Sequence, residues 1–248
     1  MSHVIGSGAH DVLVLHGWFG DARSFAPMEP SLSLGEFRYA FLDYRGYGER
    51  RDETGDYTID EIAADALAFA DRLGFDRFSI IGHSMGAMAA QRVLTLAIPR
   101  IRKLVALTPV PASGVPFDDA GWALFSGAAD HRENRYAIID YTTGNRLSKT
   151  WVRRMVDYSL ARAAQPAFAA YLRAWAKTDF SGDVAGMPLP VKVIVGEHDP
   201  ALTPTMMQTT FLSTYPDCEL EVMANAGHYP MHETPVALAT SIENFLRR

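Results

Sequence analysis

Apolar residues along this chain fall into two alternating rhythms. Short apolar runs rich in β-branched residues occur at 12–15 (Val-Leu-Val-Leu), 38–43, 77–81, 103–107, 191–195 and 219–223. Runs of this length, bounded by glycine, proline or charge, are expected of strands buried on both faces of a sheet. Between them the apolar positions recur at helical spacing. Residues 58–73 put Ile62, Ala66, Phe69, Ala70 and Leu73 on one stripe, open on Thr58-Ile59-Asp60-Glu61 and stop at Gly74. Thr-x-x-Glu is the pattern of a capping box, and a glycine commonly ends a helix. Residues 85–96, 203–212 and 235–246 also read as helices. Strands alternating with helices predict an α/β fold with a mostly parallel, doubly wound sheet and right-handed crossovers. Little chain precedes the first strong run, so that edge is expected to be trimmed, with at most one short strand near 3–5.

The rhythm breaks once. From 110 to 186 nothing reads as a strand, and the stretch is helical and aromatic: Trp122, Phe125, Tyr136, Tyr141, Trp151, Tyr158, Phe168, Tyr171 and Trp175. The pair Gly144-Asn145 and Pro166 divide it into segments. The expectation is one core formed by 1–109 and 187–248, with 110–186 inserted as a helical lid. Most of its aromatic rings should pack the lid onto that core.

The run at 78–81 leads into Gly82-His83-Ser84-Met85-Gly86, and the helix 85–96 leaves it. Gly-x-Ser-x-Gly between a strand and a helix describes a sharp, strained turn whose neighbours at minus two and plus two must be nearly free of side chain. The turn lifts the Ser84 hydroxyl clear of the sheet, near the positive end of the helix. There the Met85 backbone N–H can face a developing oxyanion. A serine hydroxyl needs a base, and the base needs an acceptor that fixes its tautomer. In strand–turn–helix sites of this kind the groups follow in the order Ser, Asp, His. The chain offers Asp199, with Glu197 as a rival, and His228, with His198 and His232 as rivals.

With these residues the chain resembles the α/β-hydrolase superfamily, in its serine esterase form with a helical lid. The resemblance implies Ser84, Asp199 and His228 as catalytic, since Asp199 matches the family's Gly-x-x-Asp and His228 its Gly-His after the last strand. It also implies that His16-Gly17 opens an oxyanion loop in which Trp18 supplies the second N–H beside Met85. Tyr44-Arg45-Gly46-Tyr47-Gly48 is similar to the family's Asp-x-Arg-Gly-x-Gly turn, with Asp43 structural and the usual following serine replaced by Glu49-Arg50. Trp18 and Met85 together look like the branch of bromoperoxidase-like perhydrolases and esterases. The implied activity is hydrolysis of a small carboxylic ester through an acyl-enzyme. A lactonase or a C–C bond hydrolase on the same triad, or a slow-turnover ligand sensor, remains open. No cofactor and no metal are expected: His228 and His232 are interrupted by Pro230, which opposes a shared helical face, and neither His-Glu-x-x-His nor paired cysteines occur.

Composition narrows the rest. The chain has 248 residues, 48% of them hydrophobic, which suffices for the core of one large domain. A net charge of −6 lacks the basic footprint of a nucleic-acid binder. The partner expected is a small-molecule ester or related acyl compound, with no nucleic acid and no membrane. The single cysteine, Cys218, excludes an internal disulfide and suits a reducing compartment. The first eleven residues lack the basic-then-apolar pattern of a signal peptide, so a cytoplasmic location is expected. Oligomeric state, acyl-chain length and physiological substrate are left open, as is which of Trp122, Phe125, Tyr141, Met155 and Trp175 lines a pocket.

Overall fold

The computed structural model describes residues 3–248; Met1 and Ser2, which open the expected core segment, lie outside the described residues. Seven strands form one sheet in the order β1-β3-β2-β4-β5-β6-β7. They are β1 (His3–Ile5), β2 (His10–Leu15), β3 (Phe37–Leu42), β4 (Phe78–His83), β5 (Ile101–Leu107), β6 (Val191–Gly196) and β7 (Cys218–Met223). β1 pairs antiparallel with β3, and every other neighbouring pair is parallel. β4 and β6 are buried at every residue. Complete burial demands cover on both faces, which explains runs that are mainly apolar, Lys192 being paired with Glu219 and Glu221 of β7. The opposite case is the edge strand β7, where Val222 is 47% exposed. The trimmed edge is likewise as expected: three residues of β1 close the sheet beside β3.

Helix α1 (Ile59–Arg72) packs on α2 (Met85–Ala97), and α2 packs on β4 and β5. The capping box at the start of α1 is only half formed. Thr58 Oγ1 accepts the Glu61 N–H at 3.0 Å, but the Glu61 carboxylate accepts from Asp56 (3.1 Å) and Tyr57 (3.0 Å) instead of Thr58. Tyr57 has φ 54°, a left-handed turn that brings those two N–H groups onto the carboxylate.

Between β5 and β6 come α3 (Asp119–Gly127), α4 (Arg132–Thr142), α5 (Lys149–Arg162), α6 (Gln165–Lys177) and the short α7 (Ser181–Val184). After β6, the single helix expected at 203–212 is broken into α8 (Pro204–Met207) and a π-helical turn at Gln208–Leu212. The hydroxyls of Thr209 and Thr210 bond to the Met206 carbonyl, and Ser213 to that of Thr209. Such bonds compete with the helical ladder and distort it. The chain closes with α9 (Pro230–Glu233) and α10 (Pro235–Arg247). No helix among the described residues is long and apolar enough to cross a membrane.

Candidate active site

Ser84 stands between β4 and α2 with φ 54° and ψ −119°, a conformation side chains avoid. The neighbouring glycines make it sterically possible. A Cβ at Gly82 would sit 2.5 Å from Ala87 Cα, and one at Gly86 would sit 2.4 Å from the Leu15 carbonyl oxygen. The helix can therefore start directly against the end of β2.

Asp199 lies in the turn after β6 and His228 in the loop after β7, 29 residues apart in sequence. His228 Nδ1 donates to Asp199 Oδ2 at 2.7 Å. Asp199 Oδ1 in turn accepts the N–H groups of Ala201 (2.9 Å) and Leu202 (3.2 Å). The carboxylate is thus held by three donors, and it orients the His228 ring with Nδ1 towards Asp199. Ser84 and His228 both line one cavity of about 80 Å³. Met85 follows Ser84 in the chain, and Trp18 lines the same cavity. Among the described residues no hydrogen bond engages either backbone N–H.

Of the rival residues, Glu197 is half-exposed and accepts from the Asn225 N–H. His198 is likewise half-exposed, with Glu197 3.6 Å away. His232 sits in α9 among Trp151 and Tyr229. Burial and the charge of Arg154 push its pKa down to about 4. Asp43 accepts the Ala22 and Glu49 N–H groups and shapes the turn after β3.

The cavity walls are mainly Trp18, Phe19, Phe117, Phe125, Met155 and Trp175. Of the five candidates singled out in the sequence, Phe125, Met155 and Trp175 line it. Trp122 lies further out with Lys177 Nζ 4.1 Å over its ring, and Tyr141 is 46% exposed. No lysine or arginine lines this cavity among the described residues.

Several contacts in this region carry no signal in the sequence. His83 Nε2 donates to the His228 carbonyl at 2.8 Å, as does Thr108 Oγ1 at 3.1 Å. Burial, then the nearby His228, drives the His83 pKa well below its usual value, so it stays neutral. Trp18 is fastened to the helical insertion: its Nε1 donates to the Phe168 carbonyl at 2.7 Å and its ring stacks on Phe168 at 4.0 Å. Tyr47 donates to the Trp18 carbonyl at 2.8 Å. Asp21, fully buried, caps the turn after Gly20 and accepts from Tyr158 and Arg162 of α5. His83 was visible beside Ser84, but its partner is 145 residues away. No local signal marks such a contact.

Fold and site together define an α/β hydrolase. The model of the alpha/beta hydrolase family matches residues 12–241, and the chain belongs to that family. Among curated proteins it is 25% identical, over 97% of its length and 91% of the relative's, to a 2-heptyl-3-hydroxy-4-quinolone dioxygenase of Rhodococcus erythropolis. It is 27% identical, over 91% of each chain, to a pimeloyl-[acyl-carrier protein] methyl ester esterase of Nitrosomonas europaea. Among solved structures, the bromoperoxidase of Bacillus anthracis superposes with a TM-score of 0.85 at 20% identity, covering 100% of this chain and 95% of that one.

Proposed function

We propose that this chain is a serine hydrolase that cleaves small, uncharged carboxylic esters, with Ser84, His228 and Asp199 as its triad. The observation that carries the reading is the 2.7 Å pair of His228 and Asp199 opening, with the strained Ser84, onto one apolar cavity. In this reading His228 Nε2 takes the proton of Ser84 as its oxygen bonds to the ester carbon. The N–H groups of Met85 and Trp18 receive the oxyanion. The tetrahedral adduct collapses, the C–O bond breaks, and His228 returns the proton to the leaving alcohol. Water, deprotonated by His228, then attacks the acyl-enzyme and releases the acid. Asp199 holds the imidazole in the productive tautomer throughout.

The substrate class follows from size and charge. The cavity is small, about 80 Å³, and its aromatic walls suit a short acyl chain. The heptyl-bearing quinolone in the dioxygenase relative's name is far larger. A carboxylate on the acyl group would meet no counter-charge in the wall, and burying an unpaired charge is costly. The helical insertion, 110–186, serves as the lid that supplies part of this wall. A lactone, being a cyclic ester, would react by the same steps.

Turnover of p-nitrophenyl esters from acetate to octanoate, by the wild type and by Ser84→Ala, tests the reading. Many turnovers per site, fastest on the short chains and lost in Ser84→Ala, are expected. One turnover followed by tight product binding would instead describe a sensor.

A further inference from the structure

The loop that carries His228 is held by more than its aspartate. The Glu233 carboxylate, in α9, accepts the backbone N–H of Gly227 at 2.8 Å and that of Tyr229 at 3.0 Å, the residues on either side of His228. Its side chain is only 2% exposed. Arg146, in the connection between α4 and α5, donates to this carboxylate and, at 2.8 Å, to the Asn225 carbonyl. The end of α4 touches the loop directly as well. His228 N–H donates to the Thr142 carbonyl at 3.0 Å. Gly227 lets the backbones meet, since a Cβ there would lie 2.7 Å from Thr143 Cα. These contacts converge on residues 225–229, and none is required by the bond-making steps above.

We propose that Glu233 and Arg146 are positioning residues through which the helical insertion, and not the sheet alone, sets the orientation of the catalytic base. The inference rests on His228 being that base. A carboxylate spanning two N–H groups fixes the loop on both sides of His228, and charge-assisted bonds are the strong ones. Arg146 anchors the carboxylate and ties it to the insertion. A glutamine at 233 has one acceptor oxygen, so one of the two N–H groups loses its partner and the loop can turn.

The test uses the full chain, p-nitrophenyl acetate kinetics, thermal melting and the rate at which a fluorophosphonate labels Ser84. Glu233→Gln should lower kcat and the labelling rate together by about 10- to 100-fold, as displacements near 1 Å do, with KM nearly unchanged. Arg146→Met should lower both by a smaller factor, Arg146→Lys should restore most of the loss, and the double variant should be no worse than Glu233→Gln. Arg146 is partly exposed, so its variants decide the matter if Glu233→Gln does not fold. A folded Glu233→Gln with wild-type kcat, a loss confined to KM or melting temperature, or Arg146→Lys as damaging as Arg146→Met would overturn the proposal. Ser84→Ala and His228→Ala run alongside. If either retains turnover, the reading of the site fails; if both are inactive while Glu233→Gln is silent, the inference alone fails.

Discussion

Ser84 is kept in its strained conformation by backbone partners on both sides. Its N–H donates to the Leu107 carbonyl at 2.9 Å, and its carbonyl accepts from Ala87 (2.9 Å) and Val110 (3.2 Å). Strain of this sort costs about 1–3 kcal/mol, so it persists only where the surroundings impose it. Because the fold supplies that restraint through the backbone, Ser84→Ala should fold normally and melt near the wild type. On the proposed reading, esterase kcat should fall on the order of 10⁶-fold in this variant; a tenth of the wild-type rate, free of contaminating esterase, would end that reading. The two acids near His228 separate just as sharply. Asp199 bonds the imidazole, whereas Glu197 bonds the Asn225 N–H. Asp199→Asn should lose about 10⁴-fold in kcat, and Glu197→Gln should stay close to wild type. Equal damage in steady-state assays of the two variants would reverse the choice of acid.

The elements divide the work unevenly. Strand ends and their turns bring the serine, aspartate and histidine together, and α3–α6 contribute Phe125, Ile138, Thr142, Met155 and Trp175 to the cavity wall. Phe125 and Trp175 face the cavity while also packing on each other and on Trp18. Trimming such a ring therefore changes both the wall and the packing. Met155 of α5 is the cleaner probe, since it lines the cavity and is 4% exposed. Met155→Ala should move the preferred ester towards longer acyl chains, each methylene being worth about 1–3 kcal/mol. Tyr141→Ala, at an exposed position, should leave the profile unchanged. Relative kcat/KM over the acyl series reads both variants. An unaltered profile in Met155→Ala would mean that the insertion does not select the substrate.

Across the whole molecule, partly buried histidines contribute to how stability responds to acid. His10 is pushed down to about 4 by burial and by the charges of Arg102 and Lys103, and His232 to about 4 by burial and Arg154. Their ordinary value is 6.5. Between 6.5 and about 4 the unfolded chain binds protons that the folded chain declines, so stability falls as pH falls through that window. Below it the loss is complete. Burial raises the Glu233 carboxyl, a contribution of opposite sign. The test is therefore a comparison: melting temperature against pH should fall less steeply for His232→Phe than for the wild type from pH 6.5 to 4. Parallel curves would remove His232 from the account.

What the sequence determined by itself was the part carried by local rules. Mainly apolar runs specified the central strands, because burial on both faces leaves little room for polar alternation. Gly82, Ser84 and Gly86 specified the turn, because only that spacing lets α2 begin against Leu15. Tertiary structure decided everything that depends on residues far apart in the chain. It half-dismantled the capping box by turning Tyr57, and it sent Phe125, Met155 and Trp175 to the cavity while leaving Trp122 and Tyr141 outside. It placed His83 on the His228 carbonyl, Asp21 under Tyr158 and Arg162, and Glu233 across Gly227 and Tyr229. Helical periodicity says which side of a helix is apolar, but not which neighbour that side will meet. A buried carboxylate also gives no sequence signal for the two N–H groups that will close on it.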